Sequence, residues 1–240
     1  MIVLFTDFGD AGPYTGQMQA RLLQLAPDVP VVRLFSDLSP FDVQAAACLL
    51  PAYCSGFPPG TVFLCVVDPG VGSERPGVLV HADDRWFVGP NEGLFALLAR
   101  RADRVDCALL PLPADASSSF HGRDVFAPVA ARLAMGDRVT AQAQPAQLLD
   151  RTDWPDDLFQ VVYTDHYGNA VTGVRANEIE TSATLNINGH LLKAAKTFSA
   201  VPHGAAFWYA NSNGLIELAV NRGRADEQLG AVVGTAFRSE

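Results

Sequence analysis

The chain has 240 residues, enough for one large domain or two small ones, and its 49% hydrophobic and 18% charged residues are typical of a globular protein. A formal net charge of −9 argues against nucleic acid or an anionic membrane as the main partner. No stretch approaches the roughly 20 apolar residues that span a bilayer, and the first residues, MIVLFTDFG, lack the basic region of a signal peptide.

The cysteines and histidines give no sign of a disulfide framework or a metal site. The four cysteines, at positions 48, 54, 65 and 107, show no CxxC spacing, and we interpret them as reduced core thiols. The five histidines form no HxxxH pair, so no zinc site is expected. Together with the missing signal peptide, this pattern predicts a cytoplasmic protein.

Up to about residue 140, short apolar runs alternate with amphipathic segments. We predict strands at 2–6, 30–35 and 62–67, and helices at 16–25, 41–50, 94–101 and 123–135. This alternation is typical of βαβ units, so it favours an α/β domain with a mostly parallel sheet covered on both faces. Pro128 is expected to kink the last helix.

A polar segment that contains proline, residues 141–157, is interpreted as a linker between an N-terminal domain (1–140) and a C-terminal domain (158–240). Beyond the linker the hydrophobic period is two and turn residues are frequent. Asn188-Gly189 predicts a tight hairpin, and residues 214–220 and 230–237 are predicted strands. The second domain is therefore predicted to be all-β, a small barrel or a sandwich.

Acidic residues follow three predicted strands of the first domain, at Asp7, Asp37 and Asp68. Ligands of open α/β sheets collect beyond the carboxyl ends of strands, although an acid in that place is more often a turn or a helix cap. The glycines of residues 8–16 fit neither GxGxxG nor a phosphate loop with its lysine. A nucleotide phosphate site is therefore not favoured there.

Two loop motifs combine into a candidate site. In DPGVGSER, residues 68–75, the glycines permit a tight turn that returns Arg75 toward Asp68, where it would keep the carboxylate ionised and aligned. In FHGRD, residues 120–124, His121 precedes a predicted helix, a place suited to proton handling near neutral pH. The alternatives are a structural ion pair and an ordinary loop histidine. The residues alone predict an Asp/Arg/His cluster.

Seven motifs, in order along nearly the whole chain, resemble those of the S-adenosylmethionine hydroxide adenosyltransferase family, which is related to fluorinases and chlorinases. They are TDFG (6–9), SPFDV (39–43), DPGVGSER (68–75), FVGPNEGL (87–94), FHGRDVFAPVAA (120–131), TDHYGNAVT (164–172) and NSNGLIELAV (211–220). The resemblance implies a C-terminal β-barrel and a homotrimer with active sites between subunits. It also implies the reaction, in which an activated water attacks the ribose 5′ carbon of S-adenosyl-L-methionine, giving adenosine and L-methionine. The methionine thioether leaves as a neutral group, so no metal or cofactor is expected.

The resemblance also implies roles for individual residues. Asp68, Arg75 and His121 match the residues that handle the water, and which of them takes the proton stays open. Asp7 is expected to bind the ribose hydroxyls, and Phe41 lies where the family has an aromatic ring near the ribose and the sulfonium. The positions implied to contact the adenine or the methionine end are Asp165, Asn169, Ser212, Glu217 and the backbone of Val220.

One position departs from the family pattern, and two other functions compete with hydrolysis. The family has an acid where this chain has Gly12, and Asp10 is the nearest acid that could replace it. A halide-using relative would make 5′-halo-5′-deoxyadenosine, but Asp68 would repel a halide at short range, and the run from Arg75 to Phe87 is too short for a fluorinase-type insertion. The remaining alternative is a non-catalytic sensor of adenosine or S-adenosylmethionine.

Overall fold

The computed structural model describes all 240 residues, which divide into two compact units, residues 1–153 and 154–240. The first unit is built on one seven-stranded sheet. Its strands are Ile2–Thr6 (β1), Val31–Phe35 (β2), Val62–Val66 (β3), Gly77–Ala82 (β4), Arg85–Pro90 (β5), Val105–Leu110 (β6) and Gln142–Gln144 (β7). Its helices are Tyr14–Leu25 (α1), Val43–Cys54 (α2), Ala96–Arg101 (α3) and Ala127–Ala134 (α4), with a π-helix at Gly122–Phe126 and a 3₁₀ helix at Ala146–Leu149.

The sheet has the strand order β2-β1-β3-β5-β4-β6-β7. β1 pairs in parallel with β2 and β3, and β3 pairs in parallel with β5. β4 runs antiparallel to its neighbours β5 and β6, and β7 runs antiparallel to β6, so five of the seven strands point the same way. The prediction of an α/β fold with a mostly parallel sheet is therefore confirmed for this unit.

The central strands β1 and β3 explain the continuous apolar runs of the sequence. Every residue of both strands is buried, as expected for strands that are covered on both faces. The chain leaves β1 toward β2 on one side and later places β3 on the other side. This change of direction opens a crevice at the carboxyl ends of the strands, the usual ligand site of such sheets.

Two predicted helices differ from the structure for local reasons. α2 begins at Val43 and not at residue 41, because the Asp42 carboxylate caps the helix by accepting from the Ala45 amide at 3.0 Å. The predicted helix 123–135 begins instead as a π-helix at residue 122 and becomes α-helical at Ala127. Pro128 is the second residue of α4 and lies where the π-helix passes into the α-helix, so the change of hydrogen-bond pattern occurs beside it, and the kink expected there stays a prediction.

The segment predicted to be a linker is ordered over much of its length. Gln142–Gln144 form β7 at the edge of the large sheet, and the following 3₁₀ helix buries Leu149, which is 3% exposed. Pairing with β6 recruits this polar segment into the first unit, a contact that the composition of the segment does not reveal.

The second unit contains two antiparallel sheets. Its strands are Leu158–Thr164 (β8), Ala170–Arg175 (β9), Thr184–Ile187 (β10), His190–Lys193 (β11), Ala206–Ala210 (β12), Leu215–Val220 (β13) and Arg238–Ser239 (β14). The sheet orders are β12-β13-β9-β8 and β11-β10-β14. The helices are Ala225–Gln228 (α5) and two 3₁₀ turns, Ala176–Glu178 and Phe198–Ala200. No helix in either unit is both long and apolar enough to cross a membrane.

The predictions for this unit had mixed outcomes. Asn188 and Gly189 have φ angles of 52° and 84° and form the two-residue loop between β10 and β11, so the predicted hairpin is confirmed. The strand predicted at 230–237 is wrong. That segment turns at Gly234, whose φ is 86°, and only Ala236 forms an isolated bridge before β14 begins.

Candidate functional site

A cleft of about 310 Å³ lies at the carboxyl ends of β1 and β3. Asp7 follows β1 and Asp68 follows β3, and the pairing of Thr6 with Val66 brings the two acids to the same edge of the sheet. His121, which immediately precedes the π-helix, also lines the cleft. The sheet register and this helix start therefore bring together acids and an imidazole that are far apart in sequence.

Arg75 connects Asp68 to His121. Its NH2 atom donates to Asp68 Oδ2 at 2.5 Å and lies 3.4 Å from His121 Nδ1. Its NH1 atom donates to the carbonyl of Pro76 at 3.0 Å. The Asp/Arg/His cluster predicted from the two loop motifs is present as a contiguous group.

The turn between Asp68 and Arg75 is held by its own hydrogen bonds. The Ser73 hydroxyl donates to the Gly70 carbonyl at 2.7 Å, and the Arg75 amide donates to the Ser73 hydroxyl at 3.2 Å. Gly72 has a φ of 84°, a conformation that glycine adopts without strain. This compact turn returns the arginine to the carboxylate seven residues before it.

Burial controls the charges of this group, because the side chains of Asp68 and Arg75 are each only 6% exposed. Burial raises the pKa of Asp68 to about 6, although the positive charge of Arg75 opposes the shift. Burial also lowers the pKa of His121, and the neighbouring Arg75 lowers it further. At neutral pH the cluster therefore holds an ionised carboxylate of raised basicity beside a neutral imidazole.

One carboxylate oxygen of this cluster has no protein partner. Asp68 Oδ1 is buried and accepts no hydrogen bond within the protein, whereas Oδ2 is bound by Arg75. A buried acceptor without a partner costs free energy, so such atoms commonly meet a bound water or a ligand. This oxygen is the atom of the cluster best placed to accept from a water.

Asp7 and Phe41 also meet at the cleft. The Phe41 amide donates to Asp7 Oδ2 at 3.0 Å, and burial raises the pKa of Asp7. Phe41 has a φ of 65° and is 72% exposed, unusual for a large apolar residue. The loop therefore holds an aromatic ring at the mouth of the cleft without burying it.

Sequence reasoning missed two parts of this site. The first is an aromatic cluster in which Phe8, Tyr14 and Phe120 contact one another with ring centroids 5.3–5.9 Å apart, all on the wall of the cleft. Phe8 is adjacent in sequence to Asp7, and Phe120 is adjacent to His121. This adjacency to candidate site residues could have indicated both rings. The second is Glu92, whose Oε1 lies 3.4 Å from Arg75 Nε. Glu92 lies inside the FVGPNEGL motif, but nothing in that motif indicates its ion pair.

In the second unit, Asp165 and Asn169 form a closed loop. Asp165 Oδ1 accepts from the amides of Tyr167 and Asn169 at 2.8 and 2.9 Å, and Asp165 Oδ2 accepts from Asn169 Nδ2 at 2.9 Å. Asn169 is 5% exposed. These bonds fix the turn between β8 and β9 and account structurally for both residues without a ligand.

Glu217 is a buried acid on β13. It is 6% exposed, and it accepts from the Tyr209 hydroxyl and, at 3.0 Å, from Asn211 Nδ2. Burial raises the pKa of Glu217, and the two hydrogen bonds oppose this shift. Tyr209 and Asn211 are further residues that sequence reasoning missed, because only the β12–β13 pairing brings them to Glu217.

The last two predicted residues of this unit differ in exposure. Ser212 is exposed in the turn before β13, and its hydroxyl lies 3.4 Å from Asn213 Nδ2. Val220 is 1% exposed, and its carbonyl accepts from the Gly223 amide at 3.0 Å. The side chain of Val220 thus belongs to the core of the unit.

Gly12, which stands where an acid was expected, lies in an open part of the structure. Gly12 has a φ of 114°, and a side chain there would meet no atom within 4 Å. Asp10, whose side chain is 74% exposed, lies 3.8 Å from the Arg33 guanidinium. Neither residue lines the cleft.

Comparisons with known sequences agree on one family. The sequence profile of the SAM hydroxide adenosyltransferase N-terminal domain matches residues 2–143, and that of the C-terminal domain matches residues 159–238. The chain is 38% identical to an (R)-S-adenosyl-L-methionine hydrolase of Thermus thermophilus, over 99% of this chain and 98% of the relative. A hydrolase of the same name from Salinispora arenicola is 36% identical, over 97% and 95%. A fluorinase of Nocardia brasiliensis is 24% identical, over 92% and 90%.

Solved structures give the same result for the fold. A crystal structure of an uncharacterized conserved protein from Thermotoga maritima matches with a TM-score of 0.83 at 26% identity, covering 100% of this chain and 99% of that one. A conserved hypothetical protein from Thermus thermophilus matches with a TM-score of 0.78 at 34% identity, with the same coverage.

Proposed function

The chain belongs to the SAM hydroxide adenosyltransferase family, and we propose that it hydrolyses S-adenosyl-L-methionine to adenosine and L-methionine. Relatives named (R)-S-adenosyl-L-methionine hydrolase support this activity at up to 38% identity over almost the full chain. The observation in the structure that carries the proposal is Asp68, a buried carboxylate with one oxygen held by Arg75 and the other unpaired, in a cleft that also contains His121.

The reaction is an in-line displacement at the ribose 5′ carbon. The water oxygen forms a bond to C5′ while the C5′–S bond breaks, and the electron pair of that bond goes to sulfur. Methionine leaves as a neutral thioether and needs neither a proton nor a Lewis acid, so we propose that no metal or cofactor takes part. The protein must align the water and accept its proton.

The contacts of His121 favour Asp68 as the proton acceptor. An arginine only donates, so His121 Nδ1, which faces Arg75 NH2, is an acceptor. The lowered pKa keeps this imidazole neutral, and its single proton then lies on Nε2. In that tautomer the free side of the ring donates to the water, whereas Asp68 Oδ1 accepts from it.

The raised pKa of Asp68 suits this role. With a pKa of about 6, Asp68 is ionised at neutral pH and more basic than an exposed aspartate. Arg75 holds Oδ2 in place, so the carboxylate loses little freedom when Oδ1 binds the water.

We propose further that Asp7 binds the ribose hydroxyls and that the exposed Phe41 ring lies near the ribose and the sulfonium. Asp7 borders the same cleft as Asp68, and one of its oxygens already accepts from the Phe41 amide, which fixes the carboxylate. A carboxylate so held can accept from both ribose hydroxyls, and an aromatic face attracts a cation.

The roles proposed for the second unit concern assembly. We propose that Asp165, Asn169, Ser212, Glu217 and the Val220 backbone contact the adenine or the methionine end of a substrate bound to the first unit of a neighbouring subunit in a homotrimer. The cleft is lined by three exposed apolar side chains, those of Phe41, Tyr14 and Val71. They support the proposal that a neighbouring subunit covers the cleft, since exposed apolar patches commonly mark an interface with a partner.

The remaining proposals are a closed β-barrel in the second unit and a cytoplasmic location. Two isolated bridges, Gln160 with Ala236 and Ala194 with Trp208, connect the edges of the two antiparallel sheets and support closure. All four cysteines are free and buried, which supports a reducing compartment.

Incubation with S-adenosyl-L-methionine, with and without added chloride or fluoride, separates the three functions. A hydrolase forms adenosine and methionine under both conditions, a halogenase forms 5′-halo-5′-deoxyadenosine only with halide, and a sensor leaves the substrate intact. The relatives are named for the (R) epimer at sulfur. Separate incubation of the two sulfonium epimers should therefore show faster hydrolysis of the (R) form.

A further inference from the structure

We propose that Glu92 is a positioning residue for this reaction: its carboxylate attracts the Nε side of Arg75, so that the guanidinium, which Asp68 already holds, stays turned toward His121. The role assigned to Asp68 rests on the proposed hydrolysis, whereas the contact between Glu92 and Arg75 does not. None of the catalytic roles proposed above includes Glu92, which does not line the cleft.

The surroundings of Arg75 show why a second carboxylate matters. Its NH1 and NH2 atoms have hydrogen-bond acceptors, but Nε is buried and makes no hydrogen bond within the protein. The carboxylate nearest to Nε is Glu92, with Oε1 at 3.4 Å. Without a charge on this side, only Asp68 and the Pro76 carbonyl would orient the guanidinium, and its long contact with His121 would be the first to weaken.

Gly70 provides the space for this contact. Its φ lies outside the left-handed region, so the backbone conformation itself does not require glycine. A Cβ atom at position 70, however, would overlap the Glu92 carboxylate and lie 3.6 Å from Arg75 Nε. A side chain at position 70 would therefore displace the end of the Glu92 side chain from its place beside Arg75.

Glu92 also adds negative charge to the Asp68 environment. The charged groups that act on Asp68 are Arg75, Glu92 and Asp7, which follows β1, while His121 faces Arg75 from the start of the π-helix. Burial is the main reason that the pKa of Asp68 is raised, and Glu92 contributes in the same direction. Removing the charge of Glu92 should therefore make Asp68 a weaker base.

The test compares Glu92→Gln with Glu74→Gln. Both remove one carboxylate near the same turn, but Glu74 is exposed, and the carboxylates that pair with Arg75 are those of Asp68 and Glu92. For Glu92→Gln we expect a kcat about tenfold lower, a nearly unchanged KM, and an acid limb of the kcat/KM profile shifted to lower pH. Glu74→Gln should match the wild type. An acid limb that does not move in Glu92→Gln, even with reduced activity or stability, would overturn the proposal.

A second variant, Gly70→Ala, tests the same contact in case Glu92→Gln does not fold. Gly70→Ala should displace the Glu92 carboxylate and shift the acid limb in the same direction, and the double variant should be no worse than Glu92→Gln alone. Fully additive losses in kcat would contradict the contact between these two positions.

A carbon-13 NMR titration makes the test independent of turnover. The Asp68 carboxyl signal, identified by its absence in Asp68→Asn, should titrate at lower pH in Glu92→Gln than in the wild type or Glu74→Gln. Equal titration would overturn the proposal. Absence of adenosine formation by the wild type would overturn the proposed function instead, while the titration still decides the role of Glu92.

Discussion

Arg75 NH2 lies 2.5 Å from Asp68 Oδ2, while the other oxygen of that carboxylate is buried and accepts no well-formed hydrogen bond in the protein. The Gly70 backbone amide lies near the carboxylate and opposes the rise of its pKa. The arginine therefore fixes the position of the carboxylate but leaves half of its accepting capacity free. Burial nevertheless dominates over the arginine charge and raises the pKa of Asp68 to about 6. A base with these properties is ionised at neutral pH and is lost by protonation in mildly acidic solution.

The pH dependence of hydrolysis follows from this pKa. Only ionised Asp68 can accept the proton of water, so kcat/KM should fall as the pH decreases through about 6. Initial rates between pH 4.5 and 8.5, with stability checked at each pH, measure this limb. A rate that stays constant down to pH 4.5 would show that an ionised Asp68 is not required.

Replacing Asp68 by asparagine should separate binding from chemistry. Asparagine keeps the size of the side chain but cannot take a proton, so we expect hydrolysis to fall at least about a hundredfold while adenosine still binds. Asp84→Asn, in the exposed hairpin between β4 and β5, is the matched control and should retain full activity. Near-normal turnover by Asp68→Asn would remove Asp68 from the mechanism.

Much of the first unit was predictable from the sequence, because buried parallel strands require continuous apolar runs such as those of β1 and β3. The β4–β5 hairpin was not predicted, since Asp83 and Asp84 form its turn at positive φ without a glycine to indicate it. The strand predicted at 230–237 was wrong because the chain turns at Gly234, which has a positive φ, so that only residues 234–237 form backbone hydrogen bonds with β8.

The residues of the candidate site were also only partly predictable from the sequence. Asp68, Arg75 and His121 were predictable because their loops carry recognisable turns and motifs. Glu92 and the ring of Tyr14 were not, because their contacts join segments that are far apart in sequence and that no local pattern connects.

The Asp7→Ala variant should act mainly on binding. If Asp7 contacts the ribose hydroxyls, its loss weakens the binding of the substrate and of the transition state alike. KM should therefore rise about tenfold or more, with a smaller change in kcat. Calorimetry with adenosine gives the same information without turnover. Unchanged affinity for adenosine would contradict the role proposed for Asp7.

Mixed assemblies test the proposed sharing of sites between subunits. In a trimer that contains Asp68→Asn and Asn169→Ala chains, some sites collect both changes and others collect neither, so two inactive variants should recover part of the wild-type activity. Sites built within single chains would each carry one change and recover nothing. Verified heterotrimers without activity would therefore exclude shared sites and leave the hydrolysis itself unaffected.

The position of bond cleavage is the central claim, and hydrolysis in water enriched in oxygen-18 measures it most directly. Attack of water on C5′ places one labelled oxygen in the 5′ hydroxyl of adenosine and none in methionine, and mass spectrometry of both products should show this pattern. Formation of adenine, labelled methionine, or unlabelled adenosine would contradict the account, because each would require a different bond to break or a nucleophile other than water.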